Sequence, residues 1–88
     1  MLSALMQITF KLFAGLSQYL PAGSVRNAAS IDLQPGETVH QFIDRQKVPS
    51  TEVHLVLVNG KYLSDAERMD YVLESGDTLA IWPPVAGG

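Results

Sequence analysis

The 88-residue sequence contains no cysteine. That excludes disulfides, a thiolate metal site and a cysteine nucleophile. Positive charge is scarce: six Lys and Arg stand against nine Asp and Glu, for a net charge of −3. Binding along a phosphate backbone needs clustered Lys and Arg, so nucleic acid is not an expected partner. Long apolar runs are missing too. The longest, Leu55 to Val58 and Leu79 to Trp82, have four residues, far from the ~20 of a membrane span. The first ten residues, MLSALMQITF, lack the basic segment and apolar stretch of a secretory signal. Together these absences predict a cytoplasmic protein with no membrane partner. Met6 is an alternative start, with residues 1–5 as a short extension.

The composition supports one small core. Leu, Ile, Val and Phe make up 26 of the 88 residues, well above the roughly 20% below which disorder is expected. In Gln7 to Phe13, the residues Ile8, Phe10 and Leu12 alternate with Gln7, Thr9 and Lys11, the pattern of a half-buried strand. Gly15, Pro21 and Gly23 punctuate the next stretch, where Leu16, Tyr19 and Leu20 have the spacing of one helical turn. Ala28 to Leu33 reads as a second strand, and Gln34-Pro35-Gly36-Glu37 as a turn. Thr38 to Gln46 predicts the main helix. Thr38 and Gln41 have capping-box spacing, and Val39, Phe42 and Ile43 form an apolar stripe. Glu52 to Val58 is apolar on both faces in its second half, as in a central strand. Asn59-Gly60 then signals a hairpin, with Lys61-Tyr62-Leu63 starting the return strand. Asp65 to Tyr71 is polar and reads as a loop or short turn. Thr78 to Trp82 is the last strand.

This order predicts an α+β domain over residues 1–82: a four- to five-stranded mixed sheet with one main helix across one face. Residues 83–88 are expected to form an extended C-terminal tail. Chemistry inside the domain is sparse. His40 and Asp44 lie at i, i+4 on the exposed side of the helix, too few for a metal site. His54 is expected at a sheet surface or edge. The sequence has no nucleophile elbow, glycine-rich phosphate loop or HExxH motif. The chain reads as a non-enzyme with no bound cofactor or metal.

The tail is more informative. Pro83 and Pro84 remove ladder donors and favour a stiff, extended exit from the sheet. Side chains then shrink through Val85 and Ala86 to Gly87 and Gly88. Six extended residues reach about 20 Å, enough to carry a terminal carboxylate into another protein's active site. Glycine lets the backbone pass a narrow slot. Strand parity adds a second signal. Phe13 is in phase with Thr9 and Lys11, and Trp82 with Thr78 and Ala80, opposite to the apolar phase of each strand. With the helix on the apolar phase, Phe13 and Trp82 face the open side, where Tyr62 can join them. Exposed aromatics grouped on a sheet face mark a docking patch.

The segment Ile81-Trp82-Pro83-Pro84-Val85-Ala86-Gly87-Gly88 resembles the end of the ThiS/MoaD group of sulfur carriers, most closely the molybdopterin synthase small subunits. KLFA near the first strand, PGETV opening the helix, and LVNG followed by SGDTLAIWPP agree with it. The resemblance implies a β-grasp, ubiquitin-like fold with the first and last strands parallel at the sheet centre. It implies that Gly88, reached through Gly87, is adenylated at its carboxylate and converted to a thiocarboxylate. It implies that Phe13, Tyr62, Trp82, Pro83, Pro84 and Val85 bind partners. Those partners are an adenylating enzyme of the ubiquitin-activating type, which holds ATP and Mg²⁺, and a molybdopterin synthase large subunit or other sulfur-accepting synthase. A thiamine-type carrier, a ubiquitin-like protein modifier and a plain interaction module are the alternative readings.

Overall fold

The computed structural model describes residues 6–84; the extension at 1–5 lies outside them. Five strands form one sheet: β1 (Gln7–Leu12), β2 (Ala28–Asp32), β3 (Leu55–Val58), β4 (Lys61–Tyr62) and β5 (Thr78–Trp82). Two α-helices accompany them, α1 (Val39–Arg45) and α2 (Asp65–Asp70). The strand order is β2-β1-β5-β3-β4. β1 and β5 run parallel, with Thr9 opposite Thr78 and Leu12 opposite Ile81, and every other pairing is antiparallel. A mixed sheet with its first and last strands paired at the centre is the β-grasp arrangement implied by the resemblance.

The core follows from strand period and helix stripe. Ile8, Phe10 and Leu12 of β1, Val56 and Val58 of β3, and Leu79 and Ile81 of β5 are buried on one face. Val39, Phe42 and Ile43 of α1 pack onto that face. Phe10 and Phe42 meet edge-to-face, with ring centroids 5.1 Å apart at 82°. α1 starts as expected: the Gln41 N–H donates to Thr38 Oγ1 at 3.2 Å, and the Thr38 N–H to Gln41 Oε1 at 3.0 Å. These two bonds satisfy donors that the first turn leaves unpaired. The predicted turn before it forms, with Gly36 at φ +75 and the Glu37 N–H donating to the Gln34 carbonyl at 3.1 Å. Ala14–Tyr19 forms a 3-10 helix that buries Leu16 at the core edge.

Three expectations need correction. Asp65 to Tyr71 is not a loop, because Asp65–Asp70 is helix α2. Ser64 caps it with the same box as α1: the Glu67 N–H donates to Ser64 Oγ and the Ser64 N–H to Glu67 Oε1. The third strand starts at Leu55 rather than Glu52, since Ser50–Glu52 closes a 3-10 turn in which the Glu52 N–H bonds the Pro49 carbonyl. The ladder begins only where Leu55 comes opposite Trp82. The first strand ends at Leu12, and Phe13 caps the 3-10 helix.

Candidate functional site

The face of the sheet away from α1 carries the second phase of each strand. Register places these side chains in rows. Tyr62 lies opposite Leu57, Leu57 opposite Ala80, and Ala80 opposite Lys11. In the next row Leu55 lies opposite Trp82. Phe13, one residue beyond β1, stays close to β5 because its N–H donates to the Ile81 carbonyl at 3.1 Å. Its ring stacks on Trp82 with centroids 4.3 Å apart and planes within 2° of parallel.

The result is an apolar patch of Phe13, Trp82, Leu55, Leu57 and Tyr62 around the end of β5. Tyr62 is 58% exposed, and the other four are half-buried. The structure therefore puts Phe13 and Trp82, the two aromatics that parity singled out, in direct contact, and sets Tyr62 on the same face two strands away. Leu55 and Leu57 were not anticipated as members. Their signal was present: EVHLVLV is apolar on both faces, and the Asn59-Gly60 turn fixes Leu57 opposite Tyr62. Asn59 and Gly60 adopt φ +52 and +84, the pair of positive values that a type I′ turn demands.

The chain leaves the sheet at Trp82, within this patch. The Trp82 carbonyl accepts from the His54 N–H at 3.0 Å. Half-buried Pro83 and exposed Pro84 follow, outside any strand. Proline has no N–H to give, so pairing cannot continue through them. Val85, Gly87 and Gly88 lie outside the described residues.

Ionic chemistry sits elsewhere. Glu37 is buried at the start of α1, where Arg45 Nε donates to it at 2.7 Å. The Arg45 hydrogen bond holds the Glu37 carboxyl below the usual glutamate range, against the opposing effect of burial. Arg45 also donates to the Asp32 carbonyl, tying α1 to the end of β2. Buried Arg68 donates to the carbonyls of Leu63 and His54 and pairs with Asp65. His40 Nε2 lies 3.5 Å from Asp44 Oδ2 on an exposed surface. His54 is exposed beside the end of β5. Among the described residues, no three His, Asp or Glu side chains group as metal ligands. No described helix is long and apolar enough to cross a membrane.

Comparison with known proteins places this arrangement. The Mut7-C ubiquitin family matches over residues 5–87. SAMP1 of Haloferax volcanii superposes with a TM-score of 0.62 at 26% identity, covering 93% of this chain and 99% of that one. The putative molybdopterin converting factor subunit 1 of Pyrococcus furiosus does so with a TM-score of 0.65 at 26% identity, covering 91% and 99%. The HVO 2177 protein of Haloferax volcanii, at 23% identity and a TM-score of 0.71 over 94% of this chain and 87% of its own, shares the fold. No curated protein matches the chain.

Proposed function

The chain belongs to the Mut7-C ubiquitin family, and on that premise we propose that it is a sulfur carrier of the ThiS/MoaD type serving molybdopterin synthesis. One observation carries the reading: an aromatic stack, Phe13 on Trp82, forms an open apolar patch at the root of the Pro83-Pro84 exit. A patch so placed can seat on an adenylating enzyme while the two prolines aim the following residues at its active site. The likeness to the Pyrococcus furiosus converting-factor subunit favours the molybdopterin branch over a thiamine-type carrier.

In this reading the chain is a co-substrate, and the adenylating enzyme holds ATP and Mg²⁺. A carboxylate is a poor acyl donor. The Gly88 carboxylate oxygen attacks the α-phosphate of ATP and pyrophosphate leaves, giving a mixed anhydride with AMP. Hydrosulfide then attacks the acyl carbon. A C–S bond forms, the C–O bond to AMP breaks, and AMP departs with the electron pair. The thiocarboxylate delivers its sulfur within a partner synthase.

The test is intact-mass spectrometry after incubation with the cognate adenylating enzyme, ATP, Mg²⁺ and sulfide. The expected product has one oxygen replaced by sulfur. Deleting Gly88, or adding a residue after it, should abolish that product while the melting curve stays unchanged. Full conversion of an extended variant without trimming would sink the proposal. The likeness to SAMP1 favours a second reading, a protein modifier joined through Gly88 to lysines. Lysine-linked adducts in a lysate, without thiocarboxylate, would select it.

A further inference from the structure

The patch does not end at Phe13. A groove of about 290 Å³, bounded by Lys11, Phe13, Val25, Arg26, Asn27 and Ala28, continues from it across β1 and β2. A second hollow of about 490 Å³, floored by Thr9, Ala28 and Ser30, shares Val25 and Ala28 with the first. The space exists because Lys11 is flanked in register by two alanines, Ala28 on β2 and Ala80 on β5. Neither hollow is lined by a carboxylate. Among the described residues the ion pairs are His40–Asp44, Glu37–Arg45 and Asp65–Arg68, so neither Lys11 nor Arg26 is paired. In a chain of net charge −3, this leaves two uncompensated cations beside the aromatic stack.

Arg26 is also held against local preference. Val25 and Ala28 exchange backbone hydrogen bonds of 3.0 and 3.1 Å around a two-residue turn. Arg26 is its first central residue, at φ +59, and Asn27 is not in the positive region. That is the II′ pattern, whose first central position suits glycine. The turn is pinned to β1, because Asn27 Nδ2 donates to the Leu12 carbonyl at 2.9 Å and the Leu12 N–H to the Asn27 carbonyl at 2.9 Å. Arginine gains nothing in backbone energy at that position, so glycine can replace it without loss of the turn.

We propose that the docking surface extends into this basic groove, and that the groove takes a carboxylate-bearing strip of the adenylating enzyme. The inference rests on the carrier reading and names the chemistry of the partner at that same surface. Apolar contact at Phe13 and Trp82 supplies affinity that salt does not screen. Lys11 and Arg26 fix orientation and speed encounter through charge, which salt does screen.

Arg26→Gly separates the two roles, since it removes the guanidinium and relieves the backbone. Calorimetric titration against the adenylating enzyme of the same organism, at low and high salt, is read beside melting curves. Arg26→Gly should melt no lower than wild type. It should bind roughly fivefold or more weakly at low salt and converge with wild type at high salt. Lys11→Gln should act in the same direction, and Trp82→Ala should lose affinity at both salt concentrations. Wild-type affinity of Arg26→Gly and Lys11→Gln at low salt, with Trp82→Ala weakened, overturns the groove and spares the carrier reading. A wild-type chain that fails to bind the enzyme overturns both. Self-association, or binding of a labelled single-stranded oligonucleotide, that both cation variants abolish would assign the groove to another occupant and overturn the proposal.

Discussion

Each face of the sheet carries one pair of aromatic rings, and the two pairs are built differently. Phe10 and Phe42 are fully buried and cross edge-to-face at 82°. Phe13 and Trp82 are half-buried and lie flat on one another, within 2° of parallel. The first pair joins a strand to a helix and belongs to the same buried core as Leu12, Val39 and Ile81. The second joins two neighbouring chain segments on a face that none of the described α-helices covers. The first geometry fills a volume. The second presents one broad ring surface to whatever arrives. Adjacent residues on β5, Ile81 and Trp82, thus serve opposite ends, and strand parity alone separates them.

Truncating each pair in turn breaks or sharpens this contrast. Phe42→Ala, on the covered face, should cost about 3–5 kcal/mol, enough to threaten so small a domain. A thermal or denaturant melt that barely moves would remove Phe42 from the core. On the open face, Trp82→Ala should weaken partner binding roughly thirtyfold or more, corresponding to about 2 kcal/mol. Its melting curve should move less than that of Phe42→Ala. Normal affinity with a collapsed melting temperature would reverse the assignment of the two faces.

Smaller effects test the polar supports of the covered face. Glu37→Gln leaves Arg45 without its buried partner and should cost roughly 1–2 kcal/mol at neutral pH. Because the folded-state pKa of Glu37 is depressed, its contribution is fully present above the ordinary glutamate value of 4.5. It drains away as pH falls through the lowered folded-state value. Melting temperature against pH should therefore fall more steeply in acid for wild type than for Glu37→Gln. Parallel curves would show that another carboxylate governs acid stability. Ser64→Ala removes the cap of α2 and should cost about 1 kcal/mol. Amide exchange at Glu67 and Arg68 should report it, with α1 unaffected.

The two helices also show which parts of the fold were legible in the sequence. α1 combines a capping box with an apolar stripe of Val39, Phe42 and Ile43, and both signals agree. α2 has the same box at Ser64 and Glu67, but its buried residue is Arg68. Carbonyls of Leu63 and His54 satisfy that guanidinium, and the helix's large apolar residue, Met69, faces solvent. Periodicity of hydrophobic residues had nothing to detect, and the capping spacing alone marked the helix. The aromatic pair on the open face was legible through the parity of Phe13 and Trp82, because period-2 alternation is strict once one face is buried. The Arg26 turn was not, since a positive φ at arginine contradicts the local preference on which such reading relies.

The parallel pairing of β1 with β5 has a mechanical consequence. β1 begins at one end of the sheet and β5 finishes at the other. A pull on residues beyond Trp82, resisted by the residues before Gln7, loads the two strands lengthwise against each other. The evenly spaced bonds of a parallel ladder then share the load, instead of opening one at a time as in a peeled hairpin. Traction on the segment after Pro84 is therefore borne by the centre of the sheet, so that segment can be drawn taut without unravelling the domain behind it.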